Sequence, residues 1–396
     1  MTSSVSVQNS LWERLETPNL FASYRIDDYP RAGLSCYPWE MTNTQAILLN
    51  AYDFLGNRRT RKAASKILRS KEKLHSHVKF DGPVMLDSGA FNFLKHEEIS
   101  INPRDVLSVG IDLEADVSVV LDHPLHPKSG RKEQRKRWSN TIANTRSMFE
   151  TLKEWDGDIP RNFQLMPVMH GYNAETLKYS LDDIVKIWGQ EPALIGIGSL
   201  APLALNGSKR TVIDIIVSAR QLLPNSHIHC FSLGSALLML FAFYCGADTV
   251  DSQTWIVSAA FKNAQLPGFH STRFSSREAQ KDPGKYEQTR QAFAQQLLQL
   301  VTNEGFAVKY WDANEEWPIN SERDAFSYLD YLEDRDGNKR IHGRACHNLY
   351  TFNFEASRVR EEKKSCNLET FIRSRMKSTV YQRTFDYAID QTVSRL

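Results

Sequence analysis

The sequence predicts the α/β class: a TIM-like (β/α)8 barrel with a C-terminal α-rich appendage. Three observations carry that prediction. Apolar runs alternate with amphipathic helical stretches at roughly the thirty-residue spacing of a βαβ unit. The runs are apolar throughout rather than alternating, as a parallel sheet buried on both faces requires. Three of them end in an aspartate, and a polar residue at the C-terminal end of a barrel strand faces the mouth of the barrel. Closure into an eight-stranded barrel is the economical reading, and an open doubly wound sheet is the alternative.

Taken in order, residues 1–32 are polar and aromatic and read as an irregular lead-in. Gly33 to Pro38 is a weakly marked first strand, and Gln45 to Tyr52 is a better one. Arg58 to Lys73 reads as a solvated helix, with Ala64, Ile67 and Leu68 among its basic residues. Pro83 to Leu86 then leads into Asp87-Ser88-Gly89-Ala90-Phe91, and Val117 to Leu121 leads into Asp122-His123-Pro124. Further strands follow at Phe163 to Met169, Leu194 to Leu200 and His227 to Gly234, separated by helices from Glu175 to Trp188 and from Arg210 to Leu223. After a helix from Ser235 to Cys245, Thr249-Val250-Asp251 closes the series. This places the barrel at residues 33–300. Residues 301–396 form a helical, basic subdomain, with a Trp-, Tyr- and acid-rich stretch from Val308 to Asp334.

The chain of 396 residues is 41% hydrophobic and 24% charged, an ordinary globular composition with ample core. A net charge of +2 argues neither for nor against nucleic acid, so local charge must decide. The Lys128 to Arg137 run, with Arg131, Lys132, Arg135, Lys136 and Arg137, is the densest candidate for phosphate contacts, against the plainer reading of a solvated helix face. Five widely spaced cysteines and a polar N-terminus predict reduced thiols in a cytoplasmic protein. The longest apolar run is too short to span a bilayer, so no membrane partner is expected.

One aspartate after a strand is ordinary turn chemistry, but three in series point to a site. Converging at a barrel mouth, Asp87, Asp122 and Asp251 suit glycosidic chemistry, with one carboxylate as nucleophile and another as acid or base. A third could accept hydrogen bonds from a purine edge, with Phe91 and Phe231 stacking on the flat base. By pattern alone, core packing is the stronger explanation for both phenylalanines, a turn explains Asp122, and a lone His170 is more often structural.

The order and wording of the segments resemble the tRNA-guanine transglycosylases. Ile47 to Tyr52, Asp87 to Phe91, Asp122 to Pro124, Met169-His170-Gly171, Ile197 to Ala201, His229 to Gly234 and Gly246 to Asp251 match seven family motifs in family order. The resemblance implies that Asp251 is the nucleophile and Asp87 the general acid/base. It implies that Asp122 reads the purine edge, that Gly198, Ser199 and Leu200 contact the base, and that Phe91 and Phe231 sandwich it. His170 stands where the family has glutamine, which implies a changed hydrogen-bonding role.

Three departures narrow the expectation. Ala204 replaces a family glutamate suited to a cationic aminomethyl group, Thr254 to Val257 replaces a Pro-Thr-Arg, and the CxCxxC of the family's zinc site is absent. The HNL motif that carries the family's last zinc ligand survives as His347-Asn348-Leu349. His342, Cys346, His347 and Cys366 could together supply four zinc ligands, but in a spacing that matches no known pattern. No cofactor is therefore expected, with His347 as a packing or hydrogen-bonding remnant. The departures resemble the DpdA-type branch, which implies exchange of guanine in DNA for preQ0, a flipped guanine, and a partner ATPase. The alternatives are a transglycosylase acting on tRNA, a non-catalytic partner subunit, and, more distantly, a glycoside hydrolase.

Overall fold

The computed structural model describes residues 15–29, 36–96, 98–205, 207–268, 272–333 and 337–395. Nine strands form one all-parallel sheet: β1 (Asn19–Ser23), β2 (Ala46–Asn50), β3 (Val84–Asp87), β4 (Val117–Val119), β5 (Gln164–Met166), β6 (Val168–Met169), β7 (Leu194–Ile197), β8 (His227–Cys230) and β9 (Thr249–Ser252). Their order is β5-β4-β3-β2-β1-β9-β8-β7-β6. The two ends of that order, β5 and β6, are one run broken at Pro167. Proline has no N–H to give a ladder, so the run divides there. β5 pairs with β4 and β6 pairs with β7, while the Pro167 carbonyl still accepts from Gly196 N–H. The sheet thereby closes on itself as an eight-position barrel with helices outside, as the sequence predicts.

The lead-in is where expectation and structure part. β1 lies inside it, hydrogen-bonded to β2 on one side and β9 on the other. Asn-Leu-Phe-Ala-Ser is short, sits next to Pro18 and has no β-branched residue, so local propensity does not announce it. Burial does: Leu20, Phe21 and Ala22 are fully enclosed. Half of the strand predicted from Gly33 to Pro38, residues 33–35, falls outside the described residues. Its described end runs into a 3-10 turn at Pro38–Glu40, anchored by the Trp39 indole on the Val78 carbonyl.

The boundary predicted at residue 300 falls inside a helix, Pro283–Glu304. That helix, Glu322–Glu333 and Gly337–Lys364 share a second core around Phe293, Phe306, Trp311 and Tyr328. Helix Gly337–Lys364 also gives Leu349, Phe352 and Val359 to the barrel core, so it rivets the two together. Among the described residues no helix is long and apolar enough to cross a membrane.

Among the basic residues of the tail, Arg375 holds this junction. Arg375 is nearly buried between Glu355 (3.1 Å) and Glu304, and Glu355 is fully buried with one oxygen on Gly268 N–H. Arg358 is paired with Glu361 and Glu362, and Arg373 with Glu369 and Asp386. Arg375 is therefore committed to the fold rather than to phosphates, whereas Arg358 and Arg373 make surface pairs of little energetic weight. Arg375→Met should lower stability by about 3 kcal/mol, because it strands Glu355 as an unpaired buried charge. Urea melts at neutral pH measure it. An unchanged midpoint would mean that Glu355 is already protonated.

Candidate active site

The site sits at the C-terminal ends of the strands, where barrel geometry gathers residues that are distant in sequence. One pocket is lined by Asp87, Phe91, Asp122, Pro124, Gly198, Ser199, Leu200, Ala201, Pro202, Phe231 and Ser232. Seven of the nine residues singled out by sequence thus share one cavity. Asp251 and His170 do not line it, but Asp251 bonds the amide of Ser232 in its wall and His170 touches Asp122 and Ser199.

β9 carries Asp251, which is 7% exposed. Its Oδ1 accepts from the Ser232 N–H at 2.6 Å. Ser232 has a left-handed φ of 60°, and Ser199 one of 64°. A non-glycine residue in that conformation costs about 1–2 kcal/mol. Each conformation does something visible. At Ser232 it accompanies an amide aimed at Asp251. At Ser199 it lets the side chain reach His170 Nδ1 at 2.8 Å and the Leu125 N–H at 2.7 Å.

Beneath Asp251 runs a buried polar column that sequence reasoning did not assign to the site. His227 Nε2 is 3.1 Å from Thr249 Oγ1, which is 2.9 Å from His229 Nδ1. His229 Nε2 is 3.5 Å from Asp251 Oδ1 without an aligned hydrogen bond. Burial lowers the His227 imidazole to about 4, so it is neutral near pH 7. We assign His227 Nε2–H to Thr249 and the Thr249 O–H to His229 Nδ1. The reverse would turn a nitrogen lone pair on the carboxylate. Oδ1 is thus held by the Ser232 amide, with the His229 ring edge facing it at 3.5 Å. The available signal was spacing: residues 227 and 229 share one face of a strand, as do 249 and 251.

Asp122 is 8% exposed and accepts from the Ser88 hydroxyl at 3.3 Å. His170 Nε2 lies 3.0 Å from Asp122 Oδ2, off the hydrogen-bond direction. His170 is 2% exposed and does not line the pocket. The hydrogen-bonding role implied for it is taken up by its neighbours: the ring lies between Asp122 and Ser199. The ring is shorter than a glutamine's reach, and Ser199 ties its other nitrogen. A Cβ at Gly198 would sit 2.4 Å from His170 Cε1, so Gly198 makes room for this imidazole. Gly198→Ala should displace His170 and Asp122 together, raise KM for the pocket's ligand by at least about tenfold and cost about 1–3 kcal/mol of stability, because Val168 Cγ1 also lies 2.9 Å from that Cβ. Base-exchange kinetics with a parallel melt test it, and an unchanged KM would sink the assignment.

Asp87 ends β3, with Oδ2 accepting from Gly89 N–H at 3.1 Å. Burial first, then the charges of Asp122 and Asp251, raise its carboxyl to about 8. One carboxyl is therefore protonated near neutral pH while two others press on it, the split that acid–base chemistry uses. Phe91 is 47% exposed on the turn after β3, and Phe231 packs edge-on against His229 at 4.6 Å.

Other sequence candidates fall elsewhere. Arg137 is buried, bonded to Glu133 and to the carbonyls of Pro124 and His96, so it clamps the loop rather than a phosphate. Arg131, Lys132, Arg135 and Lys136 are exposed on helix Arg131–Lys153. Ala204 packs against the core, and Trp255 is buried with its indole on the Ser23 carbonyl. The four zinc candidates do not converge. Cys366 lies twenty residues beyond Cys346 along and past one helix, about 30 Å at 1.5 Å per residue. His347 uses both ring nitrogens, on Tyr328 Oη (2.9 Å) and the Gln265 carbonyl (2.7 Å). Asn348 bonds Trp255, Asn263 and Gln265 backbones, so the motif staples the loop after the barrel.

An α/β barrel with three carboxylates and two aromatic rings at one mouth defines a glycosyl-transfer type of site. The queuine tRNA-ribosyltransferase family matches residues 9–306. The chain belongs to that family. It is similar to the tRNA-guanine(15) transglycosylase of Thermoplasma acidophilum, 28% identical over 215 residues, covering 54% of this chain and 31% of the relative. The Sulfolobus acidocaldarius enzyme of the same name is 25% identical over 195 residues, covering 49% and 38%. That of Methanocaldococcus jannaschii is 22% identical over 263 residues, covering 64% and 37%. The matched segments span about a third of these relatives' length.

Proposed function

We propose that this protein is a guanine base-exchange transglycosylase acting on a nucleic acid. The observation that carries the reading is the pocket itself. Asp87, held near 8, shares the pocket with Asp122 and the two phenylalanines, and Asp251 bonds the amide of Ser232 in its wall. Asp251 Oδ2 attacks C1′ of the target nucleoside, and the C1′–N9 bond breaks with its electron pair going to the purine. Asp87 gives its proton to the departing guanine. A new base enters, Asp87 takes its N–H proton, and its nitrogen attacks C1′ and frees Asp251. Asp122, fixed by Ser88 and His170, accepts the N–H donors of the base edge. Phe91 and Phe231 hold its faces, and Ser199 and Leu200 border it.

Two polymers remain in play, each with its own support. The relatives' names speak for tRNA. The departures speak for DNA and for the neutral nitrile of preQ0: Ala204 in place of a carboxylate, and His347 bonded into the fold where the zinc subdomain would stand. On the DNA reading a partner ATPase would help open the duplex. Retention of both Asp87 and Asp251 weighs against a non-catalytic subunit. The test offers radiolabelled preQ0 and guanine to duplex DNA, single-stranded DNA and bulk tRNA. Label in DNA alone supports the DNA reading, and label in tRNA alone replaces it. No label in any polymer, with or without the ATPase, refutes the transglycosylase reading.

A further inference from the structure

Beside the catalytic pocket, on the same face of the barrel, lies a second cavity of 570 Å³. That is within the usual size of ligand pockets, ~300–1,000 Å³. Its walls differ in chemistry from the first. Arg131, Arg135 and Trp138 recur at i, i+4 and i+7 along helix Arg131–Lys153, so they form one stripe. Tyr172 and Tyr179 face them from the loop and helix that follow β6.

The two cavities share a wall one side chain thick. His170 lines the second cavity, packs edge-on to Trp138 at 6.4 Å, and stands 3.0 Å from Asp122 in the first.

Three features ask for a ligand that is anionic at one end and flat at the other. Among the described residues no ion pair holds Arg131 or Arg135, although both are exposed at the start of a helix whose N-terminal amides also favour an anion. The second helix at this cavity, Ala174–Trp188, adds no anion preference, because Asn173 caps it and Glu175 stands in its first turn. Tyr179 is 60% exposed, a large aromatic face turned to solvent. The Tyr172 hydroxyl is the independent sign: it is buried and has no hydrogen-bond partner in the structure. A buried hydroxyl left unmade is a standing cost that a bound polar group removes.

We propose that this cavity binds the nucleotide next to the exchanged one on the same substrate strand. Its phosphate lies against Arg131 and Arg135, its base stacks on Tyr179 and Trp138, and Tyr172 donates a hydrogen bond to it. The inference rests on the polynucleotide reading above and adds a second, non-reacting subsite. Base stacking on aromatic rings with arginines along the backbone is how single strands are held without regard to sequence. Occupying this subsite would hold the strand open while the neighbouring base sits above Asp251.

The experiment measures binding, so that it does not depend on catalysis. A fluorescein-labelled single-stranded decanucleotide, as DNA and as RNA, is titrated into the full chain across a salt series. Arg131→Ala/Arg135→Ala should weaken binding at least about tenfold and flatten the salt slope by about 2. Tyr179→Ala should weaken it about fivefold, with Tyr179→Phe restoring the stack. Lys153→Ala/Arg161→Ala, an equal loss of charge at the far end of the barrel, is the control. Binding equal to wild type in the arginine and Tyr179→Ala variants overturns the subsite, as does an equal loss in the control. If base exchange fails in every polymer while the arginine and tyrosine variants still lose the oligonucleotide, the subsite stands and the transglycosylase reading falls.

Discussion

Asp251→Ala should reduce base exchange by at least about 10⁴-fold and leave the melting temperature almost unchanged. Losing the nucleophile of a covalent mechanism removes the step itself, not a share of its barrier. The side chain accepts one hydrogen bond, from the Ser232 amide, and stands 3.5 Å from the buried His229 ring without bonding it, while its charge opposes that of Asp87. Quenched reactions resolved on denaturing gels add a second readout. Wild type should yield a protein–polynucleotide adduct, and Asp251→Ala should yield none. An adduct that persists in the variant would move the nucleophile elsewhere.

Asp87→Asn should cut exchange by about 10²–10⁴-fold, the usual contribution of a positioned proton donor. Its pH signature has a definite sign. The carboxyl sits near 8 in the fold because burial, and then Asp122 and Asp251, oppose its charge. It carries a proton below that pH, so wild-type exchange should fall as pH rises through about 8, while the residual activity of Asp87→Asn should not. Stability runs in the same direction. The unfolded carboxyl ionises near its ordinary 3.8. The unfolded state therefore binds fewer protons than the fold between about pH 4 and 8, and wild-type stability declines across that window. Asparagine has no charge to suppress, so Asp87→Asn should melt higher than wild type at pH 7.5. A lower melt would show that the carboxylate is stabilised in the fold. A less active and more stable variant is the expected mark of a strained catalytic group.

The sequence by its own pattern carried the barrel and the mouth. Long apolar runs at a regular spacing admit few folds other than a closed parallel sheet. Asp87, Asp122 and Asp251 announce their position because each ends such a run. Phe91, Ser199 and Phe231 followed from motif order, and the structure brings all three to one pocket. What stayed illegible depended on neighbours distant in the chain. β1 is a strand because β2 and β9 flank it, not because Asn-Leu-Phe-Ala-Ser prefers to be one. His170 lies between Asp122 and Ser199, a placement that depends on the room Gly198 leaves for the ring. Arg137 and Arg375 look like their exposed basic neighbours in sequence, yet each is buried on partners 13 to 71 residues away. The polar column from His227 to Asp251 exists only where β8 and β9 lie side by side. Periodicity is a local property, and a sequence displays it directly. Pairing, burial and the partners of a charge are set by contacts across the closed barrel, and only the folded chain makes those contacts.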